Sequence, residues 1–309
     1  MKMTHSHVTV PAATASSPLT PIFIPEHVRQ KLEANGQLQV LPHIGVRAVR
    51  MAEDPDCSTN DFVDVVECDL SLVTGLLRFA NSAFYSNGKP LINVRQAAIR
   101  LGIRTCRNLV LTSCISSLMG RMSMKQEWIR AALARHGFMT ATICHELNRI
   151  LHTGFDGEEF TCGLVHDIGR TLLATCFTEE FLDIDSMTFV ESRDSIEAEE
   201  KFLGTTHCEV GAYFASSSGL PDALVDVILH HHSPEDARNP KLALLVAASD
   251  HMANHMQRFD SPEDYCVTDN AALVTLSRPG VGSASLMTQQ EAIDVMKRAE
   301  VITEELQKL

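Results

Sequence analysis

Apolar residues recur along most of the chain at three- and four-residue intervals, the period that gives an α-helix one buried stripe. No stretch of comparable length alternates apolar and polar positions as a half-buried strand would. The pattern predicts an all-α protein. Residues 1 to 22 are rich in Ser, Thr, Pro and Ala without any apolar period, so they offer too little surface to offset the entropy of ordering. A disordered lead is expected there. Pro25 suits the first turn of a helix that carries Val28 and Leu32 and stops at Asn35-Gly36.

Between Ser58 and Leu118 three helices are expected. Ser58 or Thr59 can cap the first, which contains Phe62, Val65 and Val66. The second follows Asp69, puts Leu70, Val73, Leu77 and Ala80 on one stripe and ends near Asn81-Ser82. After a turn at Asn87-Gly88-Lys89-Pro90, Asn93 can cap the third, which leads through Ala97 and Ile99-Arg100-Leu101 into Gly102 and a further apolar segment. A second block should hold helices at Trp128 to Ile150, Phe160 to Cys176, Thr206 to Ser217, Pro221 to His232 and Lys241 to Met256. Gln257 to Met287 carries Pro and Gly punctuation and reads as loop or linker, and Thr288 to Leu309 regains helical spacing through Ala292, Val295, Met296 and Ala299. The expected organisation is therefore a lead (1–22), an N-terminal helical subdomain (23–125) packed on a second helical subdomain (126–256), and a linker with a C-terminal helix (257–309) that is the candidate surface for a homodimer.

Charge and cysteine usage narrow the partners. The formal net charge of −13 repels phosphate backbones and anionic lipid, so nucleic-acid and membrane binding are disfavoured. The longest apolar run, Leu242 to Ala248, is far too short for a membrane helix, and Met1 to Thr20 has no apolar core of a secretory signal. Nine scattered cysteines, an odd number never spaced C-x-x-C, fit a reducing compartment, and a cytoplasmic protein is expected.

The chemistry lies in the histidines and aspartates. His136 shares a helical stripe with Ile129, Leu133, Ile143 and Leu147 and should point inward. His166-Asp167 stands among Leu164, Val165 and Ile168, where a carboxylate without a cation or donors would be costly. On adjacent helical positions the pair can grip one ion from two sides or bridge two. His207 leads a face with Val210, Gly211 and Phe214, and Gly211 lets a neighbouring backbone approach closely. His231 shares the stripe of Leu224, Val227 and Ile228, His232 lies beside it, and His230 should face away with Ala223 and Asp226. Asp250 follows Val246 by one turn on an apolar helix and wants a positive partner. His136, His166, Asp167, His207, His231, His232 and Asp250 thus point to a common interior. Their imidazoles and carboxylates suit Fe, Mn or Zn, as one ion or two, and the lack of a cysteine among them argues against a structural thiolate site.

This order of residues resembles the HD superfamily of metal-dependent phosphohydrolases, with spacing similar to its HD-GYP branch. Upstream, Leu41-Pro42, Asp69-Leu70-Ser71-Leu72, the string Leu76-Leu77-Arg78-Phe79-Ala80-Asn81-Ser82-Ala83-Phe84-Tyr85, and Ala98-Ile99-Arg100-Leu101-Gly102 resemble the HDOD family of HD-related output domains. The resemblance spans roughly residues 30 to 255. It implies an HDOD-like helical architecture, its second subdomain HD-like, and a bacterial signal-transduction output module acting through binding to signalling proteins. Family members generally lack demonstrated catalysis and many have lost metal ligands, whereas this chain keeps a nearly full set. It departs from the HD-GYP pattern: Ser233-Pro234-Glu235 stands where Gly-Tyr-Pro would follow, and Arg170 replaces a lysine.

Three functions are therefore weighed. In the first, a regulatory module binds a signalling protein and its metal pocket is structural or sensory. In the second, the chain is a metal-dependent phosphohydrolase or phosphodiesterase using a metal-activated water, with Asp167 and Arg170 catalytic and the Arg170 fork clamping a phosphate. In the third, the pocket and buried thiols sense redox state or iron. The first is favoured because the glycine-rich substrate loop is missing. Asn81, Ser82 and Tyr85 read as a hydrogen-bond cluster that fixes a turn rather than a ligand site, and Arg100, Arg104 and Arg107 read as one solvated stripe.

Overall fold

The computed structural model describes residues 21–34, 47, 58–82, 85, 88–122, 124–185, 187–189, 193–278 and 286–307. Among them there is no strand. Residues 1–20, the stop at Asn35-Gly36 and the Leu41-Pro42 motif lie outside the described residues; Pro21 and Ile22 precede the first helix without helical structure.

Helix α1 (Glu26–Ala34) buries Val28 and Leu32. In α2 (Thr59–Glu67), Ser58 accepts from the Asp61 backbone while the Asp61 carboxylate caps the Ser58 N–H, a reciprocal arrangement that satisfies two donors at the helix start. Helix α3 (Leu70–Ala80) is capped by Asp69, but its buried face is Leu72, Leu76 and Phe79, and Leu70 is 79% exposed. The expected stripe was one position out of phase. Both phases are apolar, and the choice is made by the packing of α5 (Ile103–Arg121), whose Ser113 side chain presses on Gly75. Asn81 then exchanges hydrogen bonds with the Leu91 backbone at 2.9 and 2.7 Å and Ser82 donates to Phe79 O at 2.7 Å, so these two hold the turn.

Helix α4 (Val94–Leu101), capped by Asn93, is separated from α5 by Gly102 at φ 82°, a conformation that L side chains resist. The arginine stripe is therefore interrupted: Arg100 donates to Lys89 O, while Arg104, beyond the break, pairs with Asp156 at 3.6 Å.

The long α6 (Glu127–Leu151) is the central element. It packs against α7 (Glu158–Val165), α13 (Pro240–Phe259) and α15 (Gln289–Leu306), while α5 joins the N-terminal helices to α7. Between α7 and α13 lie α8 (Ile168–Cys176), α9 (Phe181–Ile184), α10 (Arg193–Leu203), α11 (His207–Ser217) and α12 (Asp222–His230). One hydrophobic cluster runs from Val28 through Leu76, Leu109 and Phe160 to Val246, crossing both halves of the chain. A second joins α6 and α13 to the C-terminal segment through Met139, Leu147, Met256 and Val295.

Two local expectations change. The segment read as linker contains a 3-10 turn at Val267–Asp269 and a further helix, α14 (Ala271–Leu276), capped by Asn270 and anchored by buried Leu273 and Leu276. The pattern missed it because two apolar anchors are too few to define a period. Asp226 is buried, and its carboxylate accepts from the backbones of Arg238 and Asn239 at 2.9 and 3.3 Å, tying down the loop into α13. The apolar stripe of α15, Ala292, Val295, Met296 and Ala299, is buried within the chain against α6.

Candidate metal centre

The expected single helix over Phe160 to Cys176 is broken. Helix α7 ends at Val165 and α8 begins at Ile168, with His166 and Asp167 forming the junction. The dyad thus stands at a bend rather than on a helical face, and both side chains project into the space between α6, α11, α12 and α13. His136 comes from the middle of α6, His207 from the first residue of α11, His231 and His232 from just past the end of α12, and Asp250 from α13.

All seven side chains meet. On the inner side, His136 Nε2 lies 2.9 Å from Asp250 Oδ1 and 3.6 Å from Asp167 Oδ2. His166 Nε2 lies 3.4 Å from Asp250 Oδ1 and 3.7 Å from Asp167 Oδ2. On the side facing the cleft, Asp167 Oδ1 is 3.5 Å from His207 Nε2 and 3.6 Å from His231 Nε2. His232 Nε2 is 3.3 Å from His207 Nε2. One carboxylate, Asp167, therefore turns a different oxygen to each half of the cluster.

The donors are oriented by groups behind them. His166 Nδ1 donates to Gly163 O at 2.8 Å and His231 Nδ1 to Ile228 O at 2.9 Å, which turns each Nε2 into the cluster, where the neutral ring offers a lone pair. Burial opposes protonation of His166, but Asp167 and Asp250 outweigh it and raise its pKa, so a metal ion would displace that proton. Glu199 on α10, fully buried, sits 2.9 and 3.0 Å from His207 Nδ1 and accepts from the His207 backbone N–H at 2.7 Å. His207 Nε2 and His231 Nε2 then face each other at 3.4 Å. A proton or a cation has to lie between two such nitrogens. His136 makes no aligned hydrogen bond through either ring nitrogen, nor does His166 through Nε2, although these atoms are buried. Buried polar atoms left so are expensive, and a divalent ion would satisfy several at once.

Electrostatics agree. Burial would raise the Asp167 carboxyl, but His166, Arg170, His231 and His207 hold it well below the usual carboxylate range. Burial opposes ionisation of Asp250 in the same way and is outweighed by His136 and His166. Burial pushes the His231 imidazole down, and His232, although exposed at the cleft, is lowered by desolvation among the packed groups and by the neighbouring His231 and His207, which keeps it neutral. For His207, burial is outweighed by Cys208 and Glu199, so it holds a proton tightly, one that a metal ion would displace.

Arg170 donates from Nη1 to Asp167 Oδ2 at 2.9 Å, from Nε to Asp185 Oδ2 at 2.7 Å and from Nη2 to Asp185 Oδ1 at 3.2 Å. Its cation also lies over the Phe189 ring, 4.9 Å from the centroid. The fork expected to clamp a phosphate is thus already engaged, and it orients Asp167. Asn254, one turn after Asp250, donates to Asp250 Oδ1 at 3.0 Å. Sequence patterns pointed to neither Glu199, Asp185 nor Asn254, because each acts through a partner distant in sequence or hidden among ordinary helix residues. Cys208, also left aside, is buried with Sγ 3.4 Å from His207 Nε2.

Two backbones must touch for this to form. A Cβ built on Gly169 would stand 1.8 Å from His207 O and 3.0 Å from Gly211 N. Only glycine lets α8 cross α11 so closely, and the crossing sets His207 beside Asp167. The expected close approach at Gly211 is met by the Gly169 backbone. A cleft of about 860 Å³ opens beside the centre and is lined by Asp167, Arg170, His207, His232 and Asp250 among others. No helix among the described residues is long and apolar enough to cross a membrane.

The family profile of the HDOD domain matches residues 38–234. Over 194 residues the chain is 24% identical to an uncharacterized protein of Treponema pallidum (strain Nichols), which covers 62% of this chain and 37% of that protein. Over 145 residues it is 34% identical to ribonuclease Y of Thermus thermophilus, covering 46% of this chain and 20% of the enzyme. The matched part is thus well under half the length of these curated relatives. The fold is shared with a solved HDOD domain protein of unknown function from Geobacter sulfurreducens, at a TM-score of 0.71 and 24% identity, over 90% of this chain and 95% of that one.

Proposed function

The chain belongs to the HDOD domain family, and from that premise we propose that it is a bacterial signalling module that works by binding partner proteins and carries a divalent-metal centre in its helical core. His136, His166, Asp167 and Asp250 would hold one ion and Asp167, His207, His231 and His232 a second; the donor set suits Fe, Mn or Zn. Ions so placed supply Lewis acidity and local positive charge. The chain's own residues fix the donors: Glu199 orients His207, Asn254 orients Asp250, and Arg170 with Asp185 holds Asp167.

One observation carries the choice of a binding module over an enzyme. Among the described residues lining the cleft, Arg170 is the only Arg or Lys, and its guanidinium is engaged by Asp167 and Asp185, while Asp183, Asp185, Glu197, Glu200 and Glu209 add negative charge. A phosphoester anion entering there meets carboxylates and, among the described residues, finds no free cation apart from the centre itself. A metal-dependent phosphohydrolase is the second reading, favoured by the complete donor set and by the stretch shared with ribonuclease Y, an enzyme named for acting on RNA.

Purified protein loaded in turn with Mn²⁺, Fe²⁺ and Zn²⁺ should retain metal by elemental analysis and show no turnover of bis(p-nitrophenyl) phosphate or of RNA above that of Asp167→Asn. Metal-dependent turnover that disappears in Asp167→Asn would replace the regulatory reading with the hydrolytic one.

A further inference from the structure

The half of the centre that faces the cleft contains a sulfur. Cys208 follows His207 in the first turn of α11, and its Sγ gathers with one ring nitrogen each of His207, His231 and His232, all four atoms lying within 4.8 Å of one another. The first turn is fixed by a reciprocal cap between Thr206 and Glu209, so both donors are presented from a rigid helix start.

The three spacings from His207 match the edges of a small tetrahedron. With Zn–N near 2.05 Å and Zn–S near 2.3 Å, tetrahedral angles put nitrogens about 3.3 to 3.4 Å apart and nitrogen about 3.6 Å from sulfur. Here His207 and His231 are separated by 3.4 Å, His207 and His232 by 3.3 Å, and His207 and Cys208 by 3.4 Å. Resting on the reading of this cluster as a metal centre, we infer that its outer position is a cysteine–histidine site in which Cys208, as thiolate, joins His207, His231 and His232 around one thiophilic divalent ion, with Zn²⁺ the best match. The Cys208 thiol proton and the proton His207 holds both leave to solvent as the metal bonds form.

Two consequences follow from the ligand set. Sulfur favours Zn²⁺, Fe²⁺ or Co²⁺ over Mn²⁺ and Mg²⁺, which prefer oxygen. Four protein donors also close the outer position, as in structural zinc sites, whereas the inner group of His136, His166, Asp167 and Asp250 has no sulfur. The competing fourth donor is Asp167 Oδ1, at 3.5 and 3.6 Å from His207 and His231; with the sulfur bound, Asp167 is left to the inner ion and to Arg170.

The test is cobalt substitution of the full chain. Protein stripped by chelator and titrated with Co²⁺ should show a near-ultraviolet thiolate-to-cobalt charge-transfer band that saturates with one of its bound equivalents. In Cys208→Ser that band should vanish, affinity for that equivalent should drop at least tenfold, and the sulfur-free equivalent should remain. Cobalt bound by the unaltered protein without the band, or a band undiminished in Cys208→Ser, overturns the sulfur ligand and leaves the His/Asp centre standing. Failure to bind cobalt at all overturns the metal centre itself. Should Cys208→Ser not fold, zinc-edge X-ray absorption of the unaltered protein decides: a sulfur shell at about 2.3 Å supports the site, and a shell of nitrogen and oxygen alone refutes it.

Discussion

Gly169→Ala tests how tightly the fold and the candidate centre are coupled. The added methyl carbon would lie 1.8 Å from His207 O and 2.7 Å from His207 C, whereas non-bonded carbon contacts relax at about 3.5–4.0 Å. Helix α11 must retreat from α8 by roughly 1.5 Å to reach ordinary contact. Both obstructing atoms are backbone, so no rotamer change relieves the clash. Overpacking of a tight interior costs about 1–3 kcal/mol, and here the upper end applies, which for a protein of this size lowers Tm by roughly 5 °C. The same movement withdraws His207 from Asp167, His231 and His232. Calorimetry should therefore show the lowered Tm, and elemental analysis after loading should show the outer equivalent lost in preference to the inner one. Gly120→Ala is the control, since nothing lies within 4 Å of its Cβ and its helix should gain about 0.5–1 kcal/mol. A Gly169→Ala protein with unchanged Tm and unchanged metal content would refute the claim that this backbone crossing builds the site.

Other expectations are as direct. Glu199→Gln keeps a hydrogen bond to His207 but removes the charge that orients the ring, so affinity for the outer ion should fall about 10- to 100-fold, measured by competition with a chromogenic chelator. Chelation of the loaded protein should lower Tm, because an ion held at 100 times its Kd stabilises the folded chain by about 2.7 kcal/mol; an identical melt with and without chelator would contradict a folded-state metal site. Burial would raise the Glu146 carboxyl, but Arg149 and Arg298 hold it below the usual 4.5. This depressed value means that the pairing stabilises the protein above about pH 4.5 and is lost as pH falls through the folded value. Arg298→Ala, which unties α15 from α6, should cost under about 1 kcal/mol near neutrality, since solvent screens the exposed guanidinium. In urea titrations that difference should shrink toward zero in acid.

Much of this arrangement can be read along the chain. Ser58, Asp69, Asn93, Thr206 and Thr288 cap helices where short polar side chains precede apolar runs, because capping is satisfied within a single turn. The inward direction of His136 follows from its stripe, and its full burial agrees. Where two apolar phases compete, as around Leu70 and Leu72, periodicity cannot choose, and the neighbouring helix does.

Local sequence thus determined most of the helical segments and the inward turn of His136, His166, Asp167, His207, His231 and Asp250, though not the burial of Asp226 or the helix at Ala271–Leu276, since a helix repeats its directions every 3.6 residues or so whatever lies beyond it. Only the tertiary structure decided which of those inward groups meet. The bend between α7 and α8 that frees His166-Asp167, the contact of Gly169 with the His207 backbone, the reach of Glu199 to His207, and the entry of Cys208 among the imidazoles all join elements from different parts of the chain. Periodicity carries a direction about one axis, and a coordination geometry needs the distances and crossing angles between several axes, which close packing alone sets.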